Sequence, residues 1–338
     1  MSIVAVTGGS GFLASHIIVQ LLRDGHDVCA TLRNLARQGE VERMICAGGA
    51  DLGRLRFVQA DLEADTGWGE AMAGCDYVMH VASPFPTGVP KDEDELIRPA
   101  RDGTLRVLRA ARDAGVQRVV MTSSFAAVGY GHAPRQSAFT EADWSNPDAP
   151  EVQAYIKSKI VAERSAWEFV ADEGKPLELS VINPSGIFGP VLGADSASSI
   201  GIIKAMLDGR MPFVPRVTFG LVDVRDVAAL HIAAMTAPEA AGERFIAVSG
   251  EPLSMQQIAG VLRNGLGDAG RKAPKRQLPD WLVRLLARVL PPLRHFVPLL
   301  GVVRAASNAK ARGLLDWQPR PPEETIIATA KSLLAYWG

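Results

Sequence analysis

Apolar and polar positions alternate along the chain at two periods. Short β-branched runs stand at residues 3–7 (IVAVT), 27–32 (DVCATL), 55–59 (LRFVQ), 77–81 (YVMHV), 117–123 (QRVVMTS) and 177–182 (LELSVI). Between them lie stretches with helical spacing of apolar residues: 12–23, about 35–47, about 67–73, about 94–114 and about 152–172. Alternation of this kind predicts βαβ units, hence a parallel sheet with helices on both faces. The strand runs are apolar almost throughout, as expected when both faces of a sheet are covered. The fold class read here is α/β, a Rossmann-type doubly wound parallel sheet with a smaller mixed α/β C-terminal part.

After Pro190 the pattern loosens, and Pro, Gly and Arg become frequent. The expected division is 1–190 for a dinucleotide-binding domain, with 219–236 returning to it as a strand and a helix. Residues 191–218 and 237–338 then form a smaller substrate-binding domain. The longest apolar tract, 281–303, is interrupted by Arg284, Arg288, Pro291, Pro292, Arg294 and Pro298. It reads as a buried or interfacial helix followed by a Pro-rich loop, because a membrane span needs about 20 uninterrupted apolar residues.

Composition narrows the function classes. The chain has 338 residues, 47% hydrophobic and 22% charged, which is globular. Lys and Arg number 36 against 37 Asp and Glu. Such balance disfavours nucleic-acid binding, which needs surplus cations. The local cluster Arg271, Lys272, Lys275, Arg276, Arg284 and Arg288 reads as a solvated face, a membrane surface or polyanion being the alternative. Three widely spaced cysteines, Cys29, Cys46 and Cys75, suit neither a disulfide framework nor a zinc site. No metal is expected, and the N-terminus lacks the features of a secretion signal. A cytoplasmic protein is the expectation.

Candidate chemistry begins at the first strand–helix turn, Thr7-Gly8-Gly9-Ser10-Gly11-Phe12-Leu13-Ala14. Glycines there let the backbone approach a pyrophosphate, and the helix N-terminus offers free N–H groups to the anion. The second strand ends Thr31-Leu32-Arg33-Asn34, without the carboxylate that would hold a ribose 2′-hydroxyl. Arg33, joined by Arg37, suits a 2′-phosphate instead, so the expected cofactor is NADP(H). Tyr155 and Lys159 are four residues apart and share a helix face. An ammonium beside the phenol is expected to lower its pKa from about 10. The fifth strand ends in Ser123-Ser124, at the strand end where ligands of doubly wound sheets bind. Ser124 is the chosen carbonyl-polarising hydroxyl, and Ser123 is the alternative.

These residues carry a resemblance. The chain resembles the extended short-chain dehydrogenase/reductases, in the dihydroflavonol-reductase-like branch, and is most similar there to yeast-type NADPH-dependent aldehyde and ketone reductases. TGGSGFLASHI at 7–17, ADL at 60–62, HVASP at 80–84, RVVMTSSFAAV at 118–128, YIKSK at 155–159, NPSGIFGP at 183–190 and LVDVRDVAALHI at 221–232 fall in the family's order. The resemblance implies Ser124, Tyr155 and Lys159 as a catalytic triad. It implies Asp61 and Leu62 at the adenine, Ala82 and Ser83 under a ribose, and Pro184 and Ser185 beside the nicotinamide. The implied reaction is reduction of a small carbonyl compound to its alcohol by a monomer or homodimer. Phe85, Phe125, Tyr130, Phe188, Met206 and Phe219 are the expected apolar substrate wall. Alternatives on the same scaffold are a nucleotide-sugar epimerase or dehydratase, a steroid-type alcohol dehydrogenase, and a non-catalytic NADP sensor. Phe125 occupies the place where a dehydratase needs an acid.

Overall fold

A computed structural model describes residues 1–84, 92–193, 198–294 and 296–337. In chain order, β1 (Ile3–Val6), α1 (Phe12–Arg23), β2 (Asp27–Leu32), α2 (Gln38–Ala47), β3 (Leu55–Gln59), α3 (Trp68–Met72), β4 (Tyr77–His80), α4 (Asp94–Asp113), β5 (Arg118–Thr122), α5 (Ala154–Asp172) and β6 (Glu178–Pro184) follow the expected alternation. Then come β7 (Gly186–Phe188), α6 (Ser198–Leu207), β8 (Phe213–Val214), β9 (Thr218–Phe219), β10 (Leu221–Asp223), α7 (Val224–Thr236) and β11 (Arg244–Ala247). The chain ends with β12 (Leu253–Ser254), α8 (Met255–Leu266), β13 (Arg276–Gln277), α9 (Asp280–Leu286), α10 (Pro291–Arg294), α11 (Ala309–Leu315) and α12 (Pro322–Trp337).

Seven parallel strands form one sheet in the order β11-β6-β5-β4-β1-β2-β3. The order reverses between β1 and β4. The crevice outside the strand C-termini at such a switch point is where open α/β sheets bind ligands. The seventh strand, β11, comes from the stretch that the sequence pattern assigned to the smaller part. Its four residues RFIA are too few for a periodicity to reveal, and all four are buried.

Each sheet face is covered by its own helices. Ile17, Ile18 and Leu21 of α1 join Val227, Leu230 and Ala234 of α7 in one buried cluster, which continues into Ile203, Met206, Ile258 and Leu262 of the C-terminal part. On the other face, Val107, Leu108 and Ala111 of α4 meet Ala162, Ala166 and Phe169 of α5. Three two-stranded pairs lie outside this sheet: β10–β7 and β13–β8, both parallel, and β12–β9, antiparallel. Arg118, buried on β5, caps α7: its Nη1 donates to the carbonyls of Ala234 (2.8 Å) and Ala237 (2.6 Å). A cation suits the partial negative charge of a helix C-terminus.

The apolar tract after residue 280 forms two short helices, α9 and α10, and a 3₁₀ turn at Val297–Leu299. α9 buries Val283 and leaves Trp281 66% and Leu285 50% exposed. The six clustered cations from Arg271 to Arg288 are all exposed. No helix among the described residues is long and apolar enough to cross a membrane.

Ile17 has no exposed surface. Ile17→Ala should lower stability by about 2–5 kcal/mol, read as a fall in the urea unfolding midpoint.

Candidate active site

One cavity of about 1390 Å³ runs along the C-terminal ends of the strands. Its first end is built by the glycine loop. Gly8 has φ +69°, and a Cβ there would lie 3.0 Å from the Cβ of Ala82, so the loop and the β4 end are already in close contact. Gly8 N–H donates to Thr31 Oγ1 at 3.1 Å, and Gly9 N–H donates to the Thr31 carbonyl at 2.9 Å. α1 starts after Gly11 with no side-chain cap, leaving its first N–H groups to the cavity wall formed by Gly11, Phe12 and Leu13.

Thr7 and His80 hold this end. Thr7 Oγ1 accepts from the N–H groups of Val81 (3.0 Å) and Ala82 (2.9 Å). Its own proton is then directed to His80 Nδ1, 3.0 Å away, and His80 Nε2–H faces Thr104 Oγ1 at 3.4 Å. Burial lowers the His80 pKa to about 3, so the ring is neutral and serves as a strut. Thr7 therefore shapes the Ala82–Ser83 turn from beneath; it is not among the cavity-lining residues.

Arg33, Arg37, Asp61 and Leu62 all border the same end. The Arg33 guanidinium is exposed and has no hydrogen bond or ion pair among the described residues. Arg37 pairs with Glu40 at 2.9 Å and reaches Ser10 Oγ at 3.3 Å. The sequence reading did not include Glu40, whose carboxyl Arg37 holds below its usual pKa.

Further along, the structure brings Ser124, Tyr155, Lys159 and Ser83 together. Ser124 ends the strand β5 segment and caps a short 3₁₀ turn, its Oγ accepting from Ala126 N–H at 3.1 Å. Its hydroxyl borders the same cavity as the Tyr155 phenol and is near enough to oppose the rise of that phenol's pKa. Lys159 Nζ donates to Ser83 Oγ at 2.8 Å and lies 5.8 Å from the Tyr155 ring centre. Pro184 and Ser185 line the same cavity. Ser185 Oγ donates to the Ala247 carbonyl at 3.2 Å, which ties that segment to β11.

Ser123 points elsewhere. It is 4% exposed and donates to Glu163 Oε2 at 2.5 Å. Glu163, fully buried on α5, also receives Asn183 Nδ2 (2.7 Å) and pairs with Arg244 Nε (2.5 Å). Asn183 Nδ2 reaches the Ser124 carbonyl at 3.2 Å as well. Of the two adjacent serines, Ser124 is the one whose hydroxyl meets the phenol. Nothing in a one-dimensional reading marks Glu163 and Arg244, 81 residues apart, as partners.

Burial dominates the electrostatics and corrects one expectation. The Tyr155 pKa is not lowered: burial of the phenol raises it to about 12, Tyr130 adding to the rise and the Ser124 hydrogen bond opposing it. Burial brings Lys159 down to about 8, with Glu163 pulling the other way. The pair thus reads as a protonated phenol beside an amine that is charged below about pH 8.

The expected substrate wall divides. Phe125, Tyr130 and Phe219 line the cavity. Phe188 and Met206 do not: Phe188 is 1% exposed, stacked under Phe219 at 6.0 Å, and Met206 is fully buried. Both belong to the core because β7 and α6 turn those side chains inward. Phe85 lies outside the described residues. The sequence reading lacked Thr122, Ile187, Val217, Pro298, Leu299 and Arg304, which also line the cavity. Most sit in short strands or loops with no periodic signal.

The sequence profile of the NAD dependent epimerase/dehydratase family matches residues 4–248. The chain belongs to this family. Within this group of extended short-chain dehydrogenase/reductases, its relatives include reductases. It is 36% identical over 253 residues to cinnamoyl-CoA reductase CAD2 of Medicago truncatula, covering 72% of this chain and 76% of that protein. It is 32% identical over 296 residues to ketoreductase azaE of Aspergillus niger, covering 82% of this chain and 86% of that one. Its fold matches the crystal structure of yeast methylglyoxal/isovaleraldehyde reductase Gre2 complexed with NADPH, with TM-score 0.82, 25% identity and 98% of each chain covered.

At Gly8 any side chain meets a backbone with positive φ and the Ala82 methyl. Gly8→Ala should cost about 1–3 kcal/mol, seen as a lower unfolding midpoint in urea.

Proposed function

We propose that the protein is an NADPH-dependent reductase that converts an aldehyde or ketone carbonyl of a small, mainly apolar substrate to the alcohol. The observation that carries this reading is that Ser124, Tyr155 and Lys159 border one cavity together with the glycine loop. The similarity to ketoreductase and NADPH-bound reductase relatives supports it.

The residues fit the cofactor. Gly8, with φ +69° and a Cβ position within 3.0 Å of the Ala82 methyl, brings bare backbone to the uncapped start of α1, where a pyrophosphate would sit. Arg33 offers an unpaired guanidinium for a 2′-phosphate, with Arg37 beside it. Asp61 and Leu62, on the cavity wall, would hold the adenine, Ala82 and Ser83 would lie at a ribose, and Pro184 and Ser185 would lie beside the nicotinamide. When bound, NADPH supplies the hydride that reduces the carbonyl carbon.

The chain's own groups do the remaining work. Ser124 donates a hydrogen bond to the carbonyl oxygen and orients it. Tyr155 stays protonated across the physiological range and gives its proton to that oxygen as the alcohol forms. Lys159, held by Ser83, keeps a positive charge near the phenol and so stabilises the tyrosinate left after transfer. Phe125, Tyr130 and Phe219 exclude water and favour an apolar body.

Tyr155→Phe should reduce turnover by about 10²–10⁴-fold, measured as NADPH absorbance loss over an aldehyde and ketone panel. NADPH affinity, measured by fluorescence titration, should stay within severalfold of wild type; unchanged turnover would refute the role. The reductive rate should also decline as pH rises through about 8. Lys159 is protonated below that value and loses its charge above it. A pH profile of kcat with saturating NADPH checks the direction, and a rate that climbs through this window would contradict it.

A further inference from the structure

Arg304 borders the cavity from the C-terminal part, and its position is fixed by its neighbours. Phe139 N–H donates to the Ala305 carbonyl at 2.8 Å, and Ser307 N–H donates to the Phe139 carbonyl at 2.8 Å. Asn308 Nδ2 adds a bond to the Val248 carbonyl at 2.8 Å. On the preceding side Gly301 N–H donates to the Arg216 carbonyl at 2.8 Å, so the segment is anchored on both sides of Arg304.

The guanidinium stacks 4.3 Å from the centre of the Tyr130 ring. Among the described residues it has no hydrogen bond and no ion pair. Arg33, the other cavity-lining arginine without an ion pair among the described residues, sits at the glycine-loop end, while Arg225, Arg244 and Arg216 pair with Asp223, Glu163 and Asp280. The cation at the reacting end, Lys159, is engaged by Ser83. Four carboxylates, Asp61, Glu63, Glu95 and Glu151, also border the cavity, yet none of them pairs with Arg304.

Aromatic contacts connect this cation to the reacting end. Tyr130 packs edge-on against Phe125, ring centres 6.4 Å apart, and Phe125 directly follows Ser124. Along one wall the order is then hydroxyl pair, aromatic rings, guanidinium. Stacking uses the flat face of a guanidinium and leaves its in-plane N–H donors, whose fork matches a carboxylate with two parallel hydrogen bonds. A partly buried cation with idle donors gains most from such a partner.

We infer that Arg304 determines specificity by receiving a carboxylate of the substrate, so that the compounds reduced best are oxo acids: an aldehyde or ketone on an aromatic or apolar body with a free acid at the far end. This inference rests on the reductase reading above.

The test compares 4-formylbenzoate with its methyl ester, and 4-oxo-4-phenylbutanoate with its methyl ester, by kcat/KM with NADPH. Wild type should prefer the acids by about ten- to a hundredfold, the range expected for hydrogen bonds to a charged group. Arg304→Met should bring the acid-to-ester ratio to about one, and Arg304→Lys should keep part of it. NADPH titration verifies that each variant is folded. A second readout does not need turnover: 4-(hydroxymethyl)benzoate with NADP⁺ should raise the melting temperature of wild type and not of Arg304→Met. A wild-type ratio near one, or a preference that survives Arg304→Met, overturns the inference while leaving the reductase reading intact. Reduction of none of the four compounds, with NADPH bound, counts against the reductase reading; the melting shift then decides on Arg304 by itself.

Discussion

A fully buried carboxylate lies under the C-terminal end of the fifth strand, and the site takes its shape from how that charge is neutralised. An ionised Glu163 without partners would be prohibitively costly. It is matched by Arg244 from β11, by the Ser123 hydroxyl and by the Asn183 amide on β6. These contacts draw Ser123 inward, which turns the adjacent Ser124 outward to the phenol. Asn183 holds the Ser124 carbonyl at the same time. Arg244 also binds the carbonyls of Glu141 and Asp143, so the loop ahead of α5 is registered against the sheet. One ion pair thus sets the positions of a strand end, a helix and a loop, all of which border or support the cavity.

Much of the N-terminal fold was readable because its signals are local and repeated. The 12–23 and 94–114 helices and the first five strands each combine a period with a flanking glycine or polar break, and they appear within one or two residues of the expected places. The glycine loop and the Tyr155–Lys159 spacing were readable for the same reason: a turn and a helix face are short-range objects. What a strand of four residues does, as with β11, depends on what it pairs with 60 residues away, and no local pattern carries that. Phe188 shows the same limit. An aromatic residue beside a motif is as suited to the core as to a wall, and the register of β7 with β10 decides between them.

The tyrosine teaches a different lesson about magnitude. A lysine at helical spacing suggests a stabilised phenolate, yet the amine lies 5.8 Å from the ring centre and is itself engaged by Ser83. Desolvation of a phenol in a closed wall is the larger effect, and it acts in the opposite direction. A residue required to release a proton as a negative charge develops on an oxygen is well served by such an environment. The proton stays in place until the bonded oxygen becomes the stronger base.

The parallel pairing of β11 with β6 has a consequence for how the polypeptide can be divided. Cutting the chain after residue 190 would seem natural, since six of the seven strands of the main sheet precede it. Such a fragment would leave the β6 flank as an open edge, with unpaired N–H and C=O groups available to any passing strand. It would also strand the Glu163 charge without its guanidinium. The two halves are therefore interdependent for solubility as well as for chemistry, and the sheet is complete only when its last rung has been synthesised.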